Sequence, residues 1–355
     1  MLAVLNFLGG KSNPMLARSH VTKGLLTLTA VFAFVAVLPV LTHASDPASA
    51  NWKKLSPSAS PSARFGQAMA YDPVSKKIVL FGGIGTTYLN DTWTFDGTTW
   101  TKQQPSVAPP VRTGSAMWFD KKTQKLVMFG GYNGGHSNTA FLRDTWLWDG
   151  ATSTWTQAKL KSSPPRATGP VMFSDPLTGK LVMFGGFNPT QIIPNLHETW
   201  LWTGTAWQKL HPATSPYGRG WAIAALDPIR KNVVLTGGDG DTIRTDNTWT
   251  WDGKNWTLQS PPTQVQALVF AGIAFDPQLK SVIVFGGFGE GVGQDTNQTW
   301  SWDGTNWVLL NPSKSPSARD GMGMAYDPAT HEVVMFGGED LAGKELRDTW
   351  KWSGR

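Results

Sequence analysis

An all-β protein built from six copies of one four-stranded antiparallel unit is predicted by three observations. An apolar run closed by a glycine doublet recurs six times, at intervals of 48, 55, 52, 49 and 51 residues. Past an insert of variable length, each doublet is followed by Thr-Trp-x-Trp or Thr-Trp-x-Phe. The 355 residues include 38 Gly, 24 Pro and 19 Trp, a mixture of turn and strand formers that suits many short strands.

The chain opens on residues 1–44, which hold Lys11, Arg18 and Lys23, no Asp or Glu, and an apolar run from Leu25 to Leu41. Followed by the small-residue exit "THAS", this predicts a secretory signal cut after Ala44, with Met15 as a second candidate start. The alternative is an uncleaved membrane anchor, but Pro39 and the small residues favour cleavage. An exported protein without stable membrane insertion follows, with residues 45–49 as a short linker. Cleavage lowers the net charge from +6 to +3, because the segment carries three cations and no acid. So small a charge gives no support to nucleic-acid binding. There is no cysteine, so core burial alone must hold the fold together.

Residues 50–355 form one domain of six units. Their doublets close the runs "IVLFGG" (78–83), "LVMFGG" (126–131), "LVMFGG" (181–186), "VVLTGG" (233–238), "VIVFGG" (282–287) and "VVMFGG" (333–338). A run such as "GQAMAYD" (66–72) precedes each doublet, and a segment such as "DTWTFDGTTW" follows it, giving four strands per unit. The sixth unit, "DTWKWSGR", stops before its last Trp, while "NWKKL" (51–55) is a fourth strand with nothing before it. Residues 50–55 are therefore expected to complete the last unit. Eleven residues separate Trp52 from Arg64, as they do Trp100 from Arg112, Trp207 from Arg219 and Trp307 from Arg319, while ten separate Trp155 from Arg166.

The "FGG" doublets, the paired aromatics and the period near 50 resemble kelch repeats over essentially all of residues 50–355. The resemblance, to the galactose-oxidase-like and kelch superfamily, implies a six-bladed β-propeller with blades set radially around a central channel. Seventeen of the nineteen Trp sit at repeated motif positions, Trp118 and Trp221 being the exceptions. Recurrence at one place in every unit assigns them to packing between blades rather than to sugar stacking. Each would remove about 200 Å² from water, a gross gain of roughly 5 kcal/mol before ordering entropy is subtracted.

The turn between the first two strands keeps five residues in all six units, whereas the second-to-third inserts run 8, 13, 12, 9, 11 and 10 residues. Length variation thus concentrates at one end of the propeller, the end where binding residues gather on a rigid scaffold. The linkers between units open at that end and deliver Arg64, Arg112, Arg166, Arg219 and Arg319 to the channel mouth, the fifth unit having Leu268 with Gln266 nearby. Five guanidinium groups would suit an anionic ligand, an acidic glycan or an acidic peptide. In some kelch proteins that the chain resembles, arginines at this position contact acidic peptides. The competing reading pairs the arginines with loop acids Asp91, Asp144, Glu198 and Asp348.

Weaker loop candidates are Tyr88, His136, His197, Asp241, Glu290, Asp295, Glu339 and Asp340. Paired carboxylates move protons on sugars, but solvated loop charges account for the same residues. Two histidines are too few for a metal site, and "DGD" (239–241) lacks the remaining spacing of a calcium loop. Neither a phosphate loop nor Gly-x-Ser-x-Gly is present. Galactose oxidase builds its radical copper centre on a cysteine-tyrosine crosslink, which this chain cannot form. No cofactor or metal is expected, and a monomer is. Two readings remain: a non-catalytic exported propeller that binds an acidic glycan or peptide, and an enzyme acting on an acidic sugar, resembling the bacterial kelch-type sialic acid epimerases.

Overall fold

The computed structural model describes residues 50–240, 245–289 and 293–354. The expected signal segment, the linker at 45–49, Asp241 and Glu290 lie outside the described residues. The described residues form one compact unit. No helix among the described residues is long and apolar enough to cross a membrane.

Six four-stranded antiparallel sheets make up the blades. Blade 1 comprises Ala68–Asp72, Lys77–Phe81, Thr92–Phe95 and Trp100–Gln103, and blade 2 Ala116–Asp120, Lys125–Phe129, Thr145–Asp149 and Thr154–Gln157. Blade 3 comprises Val171–Ser174, Leu181–Phe184, Thr199–Trp202 and Trp207–Lys209, and blade 4 Ile223–Asp227, Asn232–Thr236, Thr248–Trp251 and Trp256–Leu258. Blade 5 comprises Gly272–Asp276, Ser281–Phe285, Thr299–Trp302 and Trp307–Leu310. Blade 6 takes Gly323–Asp327, Glu332–Phe336 and Thr349–Ser353 from the end of the chain, with Asn51–Lys54 as its fourth strand. In that join Trp52 lies opposite Trp352 and Lys54 opposite Trp350. The first strand of each blade touches that of the next, and the sixth touches the first, closing the circle.

A core cluster fills each of the six gaps between blades. Its anchor is the fourth-strand Trp, whose indole N–H reaches back to the buried Thr of the Thr-Trp motif one blade earlier. Trp100 donates to Thr349, Trp155 to Thr92, Trp207 to Thr145, Trp256 to Thr199, Trp307 to Thr248 and Trp52 to Thr299, all between 2.8 and 3.1 Å. A Thr rather than a Val is therefore required beside each indole, because a buried N–H without an acceptor loses about 1–3 kcal/mol. Trp52 makes the same bond as the other five, so the N-terminal strand is an integral part of the ring.

The constant length of the first turn also has a physical cause. The Asp that ends each first strand, or in blade 3 directly follows it, accepts an amide hydrogen bond from the residue two places on, in all six blades. Two residues further, Lys76, Gln124, Gly179, Lys231, Lys280 and His331 turn left-handed, with φ from 54° to 67°. Adding or removing one residue would separate the Asp from its amide.

Candidate functional site at the channel mouth

Linkers and inserts meet at one end, as their lengths suggest. The residue opening each linker's last turn pairs with the first residue of the insert in the same blade: Phe65 with Ile84, Thr113 with Tyr132, Thr168 with Phe187, Gly220 with Asp239, Val269 with Phe288, and Asp320 with Glu339. One residue further, Gly66, Gly114, Gly169, Trp221, Phe270 and Gly321 line the mouth, all six with left-handed φ between 53° and 67°. Their amides and carbonyls join across blades. Gly114 donates to Gly66, Gly169 to Gly114, Trp221 to Gly169, Gly66 to Gly321 and Gly321 to Phe270, at 2.7–2.8 Å.

The arginines sit behind this ring, not in it. Arg64 is fully buried. Its Nη1 and Nη2 grip both oxygens of Asp91 at 2.6 and 2.9 Å, and its remaining N–H groups reach the Gly82 carbonyl, the Ser62 carbonyl and Ser62 Oγ. Arg319 repeats every contact with Asp348, Gly337 and Ser317. Arg112 grips Asp144 at 2.8 and 2.8 Å and the Gly130 carbonyl. Each of these arginines closes the Gly-Gly turn from below, and all three are closed to solvent by their carboxylates. Burial alone would raise Asp91, Asp144 and Asp348, but the guanidinium beside each outweighs it and holds the carboxyl below its ordinary range.

Arg166 stands one residue out of register. The carbonyl that receives the second Gly of each doublet belongs to Arg112, Ala167, Arg219, Leu268, Arg319 and Arg64 in turn, so Ala167 holds the place assigned to Arg166. Half-buried, Arg166 donates to the Phe141 carbonyl, and Glu198 pairs with Lys209 at 2.7 Å instead. In blade 4 Arg219 meets no carboxylate among the described residues: Nη1 reaches Gly237 O, Thr245 Oγ1 and Asn247 Oδ1, while Nη2 is buried with no acceptor among them. Burial lowers its pKa to about 10, which leaves it charged at neutral pH.

The mouth is a cavity of about 130 Å³ bounded by the ring glycines, Gln67, Ser115, Pro170, Trp221 and Phe270. It continues into a channel lined by Met69, Met117, Met172, Met322 and Met324. Around it runs an aromatic arc of Tyr88, Tyr132, Phe141, Phe187, Trp221 and Phe270, successive ring centres lying 4.9–6.4 Å apart. Where the arc ends, carboxyls begin. Asp295 lies opposite Phe288, and Asp320 precedes Gly321, whose amide bonds Phe270. Asp320, 2% exposed, shares a hydrogen bond with Asp295, and no amide, amine or hydroxyl of the described residues reaches either Asp295 oxygen. Burial, then the neighbouring carboxylates Asp295 and Glu339, push Asp320 to about 9. Burial, with Glu339 and Asp340 adding to it, pushes Asp295 to about 6. The pair therefore holds a proton at neutral pH.

Residues 40–190 match the family model described as the KLHDC2/KLHL20/DRC7 Kelch-repeats domain. Among solved structures the chain is similar to one titled "Structure of YjhT", with a TM-score of 0.63 and 16% identity over 82% of this chain and 95% of that one. The match and the six repeats support a kelch-repeat β-propeller. No curated protein sequence matches it, and identity this low to YjhT carries the fold alone.

Within the kelch propeller, the loop candidates divide. Tyr88 joins the aromatic arc, and Asp295 and Glu339 join the carboxyl group beside the ring. His136 and His197 are exposed on the rim. No three His, Asp or Glu among the described residues are grouped to hold a metal ion. Sequence reasoning missed Asp320, Phe270 and the place of Trp221. A signal for the last two existed: units 1, 2, 3 and 6 carry glycine at the ring position, where units 4 and 5 carry an aromatic.

Proposed function

We propose that this propeller is an exported binding module that takes a glycan at the channel mouth. The observation that carries the reading is Trp221 and Phe270 in left-handed backbone at places where four blades use glycine. Such a conformation costs a non-glycine residue about 1–3 kcal/mol, a strain that persists only where the surrounding structure holds it and that gathers at binding sites; Trp221 is 9% exposed, so it offers only the edge that faces the mouth. Here it sets two large rings on the wall of the mouth. An apolar sugar face stacks on such rings, and its hydroxyls have the acceptors of Asp295 within the next blade. Exposed Ile192, Ile193 and Tyr217, on the blade 3 side of the same end, extend the surface for a larger ligand.

An acidic ligand rested on five free guanidiniums. With three of them closed by carboxylates and Ala167 in the place of a fourth, support moves from the acidic group of a glycan to its ring and hydroxyls. Calorimetric titration against neutral and acidic oligosaccharides tests this. Trp221→Gly and Phe270→Gly should each weaken binding at least tenfold without loss of the folded state, because glycine is what the other blades carry. Binding that survives both substitutions, or binding only to acidic peptides, would refute the glycan reading.

One observation favours a second reading, an enzyme acting on a sugar. A protonated Asp320 beside a more acidic Asp295 is a donor and an acceptor at neutral pH, the pair a ring-opening proton transfer requires. Exchange of sugar anomers, followed by NMR, would accelerate with the protein and lose that acceleration in Asp320→Asn. Saturable binding without exchange leaves the module.

A further inference from the structure

In three blades the buried guanidinium is neutralised by the Asp that immediately precedes the third strand: Asp91, Asp144 and Asp348. Blade 4 keeps the guanidinium and loses the acid. Arg219 is 1% exposed, yet Asn247 stands where Asp91 and Asp348 stand, and its Oδ1 faces Nη1 at 3.0 Å. A second replacement strikes the same nitrogen. In blades 1 and 6, Nη2 also donates to the hydroxyl two residues upstream, Ser62 or Ser317; in blade 4 that residue is Tyr217, which offers Arg219 only its carbonyl, to Nε, at 3.2 Å. Both acceptors of Nη2 are therefore gone together, and the atom is buried with nothing among the described residues to receive its protons.

A water molecule would satisfy those protons but leave the charge uncompensated, and a buried cation without a counter-charge is among the least favourable arrangements in a folded protein. An arginine does not escape by losing its proton near neutral pH. The three neutral acceptors on Nη1 do not supply the missing charge. We propose that a small monovalent anion, chloride or a similar halide, binds against Nη2 of Arg219 and replaces the carboxylate that blades 1, 2 and 6 provide. Its size follows from the burial of the nitrogen and from the fact that Arg219 does not line the mouth cavity. The site is thus separate from that of the ligand proposed above and stands or falls without it.

Bromide diffused into crystals of the mature protein tests the proposal by anomalous scattering. A bromide peak adjoining Nη2 of Arg219, with none at Arg64, Arg112 or Arg319, is the expected result. In solution the unfolding midpoint should rise more in sodium bromide than in sodium gluconate of equal ionic strength. Asn247→Asp, which restores the missing carboxylate, should abolish that difference. No bromide at Nη2, or an undiminished halide effect in Asn247→Asp, overturns the proposal. So does a halide dependence that wild type lacks and Asp241→Asn gains, since Asp241 would then be the native counter-charge.

Discussion

Blades 1, 2 and 6 differ from blades 3, 4 and 5 in one repeated detail. In the first set a buried Arg grips an Asp and closes the Gly-Gly turn, and the ring residue is glycine. In the second set the arginine–aspartate clamp is broken in every blade: blade 3 has Ala167 with Glu198 turned to Lys209, blade 4 keeps Arg219 but has Asn247, and blade 5 has Leu268 with Gln298. The two blades with an aromatic in the ring, 4 and 5, both belong to the second set. One side of the wheel keeps the regular architecture, and the other departs from it where the mouth gains its stacking surface. Repetition identifies what the fold needs, and the broken repeats identify what it can spend on a ligand.

The sharpest way to break this comparison is to remove one acid from the regular side. Asp91→Ala would leave Arg64 charged and buried with its fork empty, and should destabilise the protein by about 3–5 kcal/mol, measured by chemical denaturation. Arg219→Met in blade 4 removes a guanidinium that no carboxylate of the described residues reaches and should be close to neutral. Equal losses in the two variants would erase the distinction between the two sets of blades.

A smaller effect is expected at the ring. Gly169 has φ +64°, and a Cβ there would stand 2.5 Å from the Trp221 ring and 2.8 Å from its backbone nitrogen. Gly169→Ala should cost about 2 kcal/mol, from strain and from displacement of the indole. It should also weaken glycan binding more than Gly114→Ala, whose Cβ would stand nearest the Thr168 side chain and the Gly169 amide.

How much of this was legible beforehand depended on repetition. The closing strand was legible because Trp52 keeps the spacing of five other tryptophans. The same count contained the correction to Arg166: ten residues after Trp155 rather than eleven meant that the place belonged to Ala167. Whether an arginine faces solvent or a carboxylate is a matter of packing, and the motif reads the same in both cases. Asp320 was invisible for a related reason. An Asp between Arg319 and a glycine reads as a solvated turn residue, and only the fold brings Asp295 and Glu339 against it.

Acid and alkali should separate the clamps from the carboxyl pair. The carboxyls of Asp91, Asp144 and Asp348 are held low, so their contribution is present above the ordinary value of about 4 and is lost as pH falls through their folded values. Asp295 and Asp320 are raised, so their contribution is full below about 4 and is lost as pH climbs through about 6 and about 9. Unfolding midpoints taken from pH 3 to 10 should decline at both ends. Asp320→Asn keeps a neutral hydrogen-bond donor at all pH values and should flatten the alkaline decline while leaving the acid limb in place. Identical alkaline limbs in the two proteins would deny the shared proton.

The smallest effect belongs to blade 3, where the replacement pair lies at the surface. Lys209 and Glu198 meet at 2.7 Å, but their side chains are 42% and 20% exposed, against 0% for the guanidinium of Arg64. Water solvates both charges whether or not they touch, so the attraction gained is nearly matched by hydration and side-chain freedom lost. Lys209→Ala should cost no more than about 0.5 kcal/mol, and that cost should vanish in high salt. A double-mutant cycle on Lys209 and Glu198 beside one on Arg64 and Asp91 puts both pairs on one scale. A coupling in blade 3 as large as that in blade 1 would mean that burial is not what separates the regular blades from the altered ones.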